Sequence, residues 1–174
     1  MADNTFIQIG TAVVVGSGGS AEMDFTSIPS TFDDLCLKFS ARMGSTANVV
    51  DDVALKLNNV TTNFTMRRLF GDGAGATDSD IGGGNFNWVS QSPNASATAS
   101  TFGNAEFYIP NYTSSSSKTI LADSVSENNA TTAYAFLGVL LWNNSAAINR
   151  ITLTGFSSNF LQHSTAYLYG IKNS

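Results

Sequence analysis

The longest apolar run in the chain, Ala133-Tyr134-Ala135-Phe136-Leu137-Gly138-Val139-Leu140-Leu141-Trp142, is apolar on both alternating faces. Extended, it puts Tyr134, Phe136, Leu140 and Trp142 on one side and Ala133, Ala135, Leu137, Val139 and Leu141 on the other. A half-exposed strand alternates polar with apolar residues, whereas a strand covered on both sides reads as a continuous apolar run. The run therefore predicts a central strand with both faces buried. A helix is the rival reading. Asn128-Asn129 before the run, Asn143-Asn144-Ser145 after it and strand-like neighbours argue against that. At about ten residues the run is also too short for a membrane-spanning helix, which takes about 20.

The rest of the chain has the same strand rhythm. Leu35, Leu37, Phe39, Ala41 and Met43 alternate with Cys36, Lys38, Ser40 and Arg42, which predicts one face on the core and one toward water or a neighbour. Further strands are expected over Thr5 to Val15, around Met23 and Phe25, and over Val53 to Leu57, Asn63 to Phe70, Asn85 to Val89 and Ala105 to Ile109. Three more are expected over Thr119 to Val125, Ile148 to Thr154 and Ala166 to Lys172. The glycine-rich stretch Gly71 to Gly84 reads as a loop, as do Gln91 to Ser100 and Asn111 to Ser117. Nowhere do apolar residues recur at helical spacing over three turns, and neither a repeat nor a domain boundary is visible. Residues 1–174 are therefore expected to form a single all-β domain, an antiparallel β-sandwich of about ten strands with jelly-roll wiring. Its expected core includes Leu37, Phe39, Leu55, Leu137, Val139, Leu141, Ile151 and Leu153.

Composition narrows the function. Only 12% of residues are charged, about half the usual share, so part of the surface is expected to lie under other subunits. A net charge of −5 gives no electrostatic footprint for nucleic acid. The segment Met1-Ala2-Asp3-Asn4-Thr5 lacks the basic and apolar regions of a signal peptide. Cys36 is the sole cysteine, which excludes an intrachain disulfide and a cysteine metal cluster.

Each stretch that imitates a chemical motif has a plainer explanation. Val13-Val14-Val15-Gly16-Ser17-Gly18-Gly19-Ser20-Ala21 resembles a dinucleotide fingerprint, but that site needs a helix to follow, and Glu22 to Pro29 is strand-like. A hairpin turn is expected there. Asp72, Asp78 and Asp80 share one loop without the spacing of a calcium site. His163, the one histidine, has no triad partner near it in sequence. Glu22, Glu106 and Glu127 would need an aspartate at a defined distance to act as a glycosidase pair. Arg67 and Arg68 must point to opposite faces, with Asp72 or Asp123 as candidate partners. Tyr134, Phe136, Trp142, Phe156, Phe160, Tyr167 and Tyr169 fit core and interface packing better than sugar stacking. No catalytic residue, metal or cofactor is expected.

Four phrases carry a resemblance: Phe64-Thr65-Met66-Arg67-Arg68-Leu69-Phe70-Gly71-Asp72-Gly73, Ile109-Pro110-Asn111-Tyr112, Asp123-Ser124-Val125-Ser126-Glu127-Asn128-Asn129-Ala130 and Leu168-Tyr169-Gly170-Ile171-Lys172. Together they resemble a β-sandwich family among structural proteins of tailed bacteriophages, marine and cyanobacterial ones especially. The resemblance spans about Phe25 to Lys172 and brings no catalytic motif. It implies a virion component: a capsid decoration (cement) protein bound to the major capsid protein. The low charge content and the long loops, taken with the resemblance, lead to the expectation of a homotrimer, and neither nucleic acid nor a membrane is expected as a partner. The alternative that the resemblance implies is a tail-fibre tip module that binds host glycans.

Overall fold

The computed structural model describes residues 5–72, 77–82, 88–127 and 133–173, leaving aside the side chains of 77–82, Val89 and Glu127. Among these residues there is no helix. The strands are β1 (Phe6–Gln8), β2 (Val13–Val14), β3 (Glu22–Phe25), β4 (Asp34–Ala41), β5 (Val50–Leu57), β6 (Phe64–Gly71) and β7 (Thr77–Gly82). They continue with β8 (Trp88–Pro93), β9 (Gly103–Ile109), β10 (Lys118–Glu127), β11 (Ala133–Trp142), β12 (Ile151–Gly155) and β13 (Thr165–Ile171).

The strands form two antiparallel sheets packed as a β-sandwich. The larger runs β1-β13-β4-β9-β10-β11-β6-β7, with β2 also on β13, and the smaller runs β3-β12-β5-β8. Leu35, Leu37 and Phe39 of β4, Phe107 of β9 and Phe136, Leu140 and Trp142 of β11 face the small sheet. Opposite them lie Met23, Leu55, Ile151 and Leu153, and all of these are buried. Five of the eight expected core residues, Leu37, Phe39, Leu55, Ile151 and Leu153, are in this core.

The other three are not. Leu137, Val139 and Leu141 are 47%, 47% and 37% exposed. β11 does lie inside the large sheet, paired to β10 on one side and β6 on the other. Only its inner face meets the small sheet, however, and among the described residues nothing covers its outer face. An apolar run is insensitive to that difference, because sheet pairing protects the backbone whatever covers the side chains.

Two loop expectations also give way to strand. Thr77–Gly82, inside the glycine-rich stretch, is β7 and pairs with β6. β8 runs on to Pro93 against β5, past the expected boundary at Gln91. Glycine content gave no sign of the strand at Thr77–Gly82.

Past the end of β4, Arg42 does not point to water. It is buried, and its guanidinium donates to the carbonyls of Thr98 (2.7 Å), Thr101, Ala95 and Ala97. This fastens the 94–101 loop beneath β4, and burial lowers the guanidinium's pKa. Lys118 works the same way at another corner. Its Nζ donates to the carbonyls of Ser114, Ser116, Asn144 and Ala146 and lies 5.9 Å from the Trp142 ring, and burial lowers its pKa. Two long polar loops are thus ordered by cations that carbonyl oxygens satisfy.

Candidate functional site

The register of the large sheet defines its outer face in rows. Leu121 of β10 lies beside Val139 of β11, and Val139 beside Arg67 of β6. In the next row stand Asp123, Leu137 and Leu69, and in the third Val125, Ala135 and Gly71. Leu69, Leu121, Val125, Leu137, Val139 and Leu141 are all exposed, and together they make one apolar band over three adjacent strands. Isolated exposed apolar residues are ordinary, but a contiguous band marks a contact surface.

Charges border the band unevenly. Arg67 is exposed on the β6 side, where its guanidinium donates to the carbonyl of neighbouring Met66 (2.8 Å). Asp123 is exposed on the β10 side, directly across from Glu106 of β9. Like charges so placed repel. Lys38 answers Glu106 at 2.7 Å and raises its own pKa by that bond. Among the described residues neither Arg67 nor Asp123 has an opposite charge. Asp123, expected as a partner for the arginine pair, does not pair with Arg67. Arg68 points inward, its guanidinium 5.7 Å from the centre of the Phe70 ring.

Two hollows indent this face and share Asp123. One, of about 320 Å³, is lined by Leu69, Gly71, Ala135 and Leu137 and is almost wholly apolar. The other, of about 400 Å³, lies over Lys38, Glu106, Val125 and Tyr167. Small residues in the third row leave the first hollow open.

Further along the face Cys36 is buried between β9 and β13. Burial, then the charge of Glu106, pushes its thiol up to about 11. Tyr108 donates to Asp34 at 2.6 Å, and that bond, with burial, pushes the phenol up to about 12. Burial alone would raise the Asp34 carboxyl. The hydrogen bonds from Tyr108, Asn173 and the Asn111 backbone outweigh it and hold the pKa low.

A separate cleft of about 670 Å³ opens near the small-sheet strands β5 and β8, with Asn48, Asp52, Gln91, Tyr134 and Phe156 on its walls. Phe156 is 61% exposed and stands edge-on to Trp88 at 4.8 Å. Asp52 accepts from Gln91 at 3.1 Å, and burial raises its pKa despite that bond and the nearby Arg68 charge. The neighbouring Asp51 is occupied in holding Ser157 and Ser158.

The remaining sequence candidates are scattered. The Gly16-to-Gly19 segment is a turn, closed by Gly19 N–H donating to Gly16 C=O at 3.0 Å, and strands follow it. Gly19 has φ +72°, and a Cβ there would lie 2.9 Å from the Phe160 carbonyl oxygen, so glycine is required. His163 sits exposed in a turn at φ 73°. Glu22 pairs with Lys56 at 2.7 Å, far from Glu106 in the sheet order. Asp78 and Asp80 fall on β7, and their side chains, like that of Glu127, lie outside the described residues. Among the described residues no cluster of three or more potential metal ligands occurs. What the sequence reading missed is the uncovered half of β11 and its charged border. Periodicity carries no sign of the first, and only strand register reveals the second.

No protein-family model, no curated protein and no solved structure matches the chain.

Proposed function

We propose that this chain is a structural assembly subunit without enzymatic activity: a virion protein that decorates and cements a phage head by binding the major capsid protein and itself. The observation that carries this is the apolar outer face over β10, β11 and β6. A sequence that places large apolar residues on both sides of its central strand, then buries only one side, leaves the other for a second molecule. The strand order supports the same reading. We read β1-β13-β4-β9 over β3-β12-β5-β8 as jelly-roll wiring, with the hairpins β6–β7 and β10–β11 added beyond β9. Jelly rolls serve viral capsids and lectins alike, so the fold permits the function without assigning it. The apolar band lies on the added hairpins, the part not needed to close the sandwich.

Such a subunit stabilises a shell by binding the assembled form only. Repeating a weak contact about a symmetry axis multiplies it by avidity. The test is to locate the chain in intact particles by electron microscopy and to compare DNA retention on heating with and without it. Presence on heads and earlier DNA release without it are the expected results. Confinement to the distal tail would overturn the reading.

The cleft favours a second reading, a glycan-binding module at a fibre tip. An exposed Phe156 beside Asp52 and Gln91 offers a ring for a sugar face and polar groups for its hydroxyls. Host-surface glycan binding abolished by Phe156→Ala would move the assignment there.

A further inference from the structure

We infer that the outer face of the large sheet is covered by a second copy of this chain, packed face to face about a two-fold axis running along β11. The inference rests on the reading of this face as an assembly surface and names its occupant.

An isologous contact requires a patch complementary to itself. Rotation about an axis along β11 keeps each row of residues in place and exchanges the β6 side for the β10 side. Leu137 and Val139, on the axis, then meet their own copies. Val125 of each chain stands over the partner's Gly71, where the apolar hollow lined by Leu69, Ala135 and Leu137 lies open. Arg67 stands over the partner's Leu121, one row from the partner's Asp123. A row is about 7 Å along the strand, within diagonal reach of a long side chain. Each of the two unanswered charges on this face thereby acquires an opposite partner, twice over by symmetry.

The geometry suits sheet stacking in general. Strands related this way run nearly parallel across the interface, the aligned arrangement of packed sheets about 10 Å apart. The face from β9 to β7, over the length of β11, has a flat footprint of about 650 Å², near the usual figure of about 800 Å² per partner. A perpendicular in-plane axis would set Arg67 over the partner's Leu69 and leave Asp123 against Leu121. The charges thus choose between the two axes.

The test is sedimentation equilibrium of the full chain and of two charge-reversed variants, Arg67→Glu and Asp123→Arg, with circular dichroism to establish that each is folded. The wild type is expected to be a dimer. Each variant alone would set like charges together at both ends of the interface and should weaken dimerisation roughly 10- to 100-fold. Mixed in equal amounts, the two should pair at close to wild-type strength. In the mixed dimer the new acid of one chain faces the new base of the other, and the unaltered Arg67 faces the unaltered Asp123. A general loss of surface quality would not be rescued by mixing. A trimeric wild type overturns the two-fold inference. So does a monomer that binds only to heads stripped of it, or folded variants whose mixture does not pair. Those results leave the assembly function standing. Absence of the chain from particles, with the dimer intact, removes the function and leaves the interface.

Discussion

The two faces of β11 are built from similar residues and have opposite fates. Phe136, Leu140 and Trp142 are sealed against the small sheet, while Leu137, Val139 and Leu141, one residue out of phase, meet solvent. Burial on the inner side is what folding itself supplies. On the outer side the same apolar area is stabilising only if something else covers it. The difference teaches that an apolar face reports a buried surface somewhere, without saying which chain provides the cover.

The comparison breaks most readily by mutation. Trp142→Ala should cost about 3–5 kcal/mol of unfolding free energy, as large-to-small changes in a packed core do. Leu137→Ala, in the monomer, should stay within about 0.5 kcal/mol, the range of surface substitutions. Denaturant titration of both variants below the association concentration checks this. Equal losses at the two positions would mean that the outer face is covered within the chain.

A somewhat smaller effect is expected at the buried cations. Arg42→Met would orphan the carbonyls of Ala95, Ala97, Thr98 and Thr101. Even if water reaches most of them, about 3 kcal/mol should be lost, since one buried acceptor left bare costs about 1–3 kcal/mol. Exposed Arg67 has no such role, and Arg67→Met should leave monomer stability unchanged. Thermal melts of the two variants side by side sharpen the contrast between a cation used for folding and one held for a partner.

Alkaline pH gives a third and smaller effect. Folding raises the Cys36 thiol from 9.0 to about 11 and the Tyr108 phenol from 10.0 to about 12. A raised pKa contributes stability that is whole below the unfolded value and is lost as pH climbs through the folded one. Stability should therefore decline between about pH 9 and 12. Lys118 acts in the opposite sense, because burial lowers its pKa and the unfolded chain binds its proton more tightly. Unfolding followed against pH, with Tyr108→Phe as control, should show a shallower decline in the variant above pH 10. Slow reaction of Cys36 with a thiol reagent at pH 8, accelerated on unfolding, checks the same burial.

Much of the fold was legible in the sequence. Alternation located β4, β5, β9 and β12, and an uninterrupted apolar run located β11, because side-chain period is a property of the backbone alone. Leu55 and Ile151 could be assigned to the core from their place in that pattern. The contact face was legible only in part. Its apolar residues were visible, but their exposure depends on the small sheet having four strands where the large one has nine. Strand count in each layer is a long-range property. The placement of Asp123 across from Glu106 follows from the register of the successive strands β9 and β10, and the neighbours of Arg67 from the register of β6 and β11, which are far apart in sequence. Arg42, read as facing water or a neighbour, is buried by a loop of its own chain, residues 94–101, that local pattern could not bring there.

The most direct measurement is the solvent exposure of the Leu137, Val139 and Leu141 methyl groups, read by NMR with a soluble paramagnetic agent as protein concentration rises. These methyls should broaden strongly at the lowest concentration and become protected as the chain associates. The methyls of Leu140 and Ile151 should be protected throughout. If the outer methyls stay fully accessible at every concentration, and on intact particles too, the claim that another molecule covers this face is wrong.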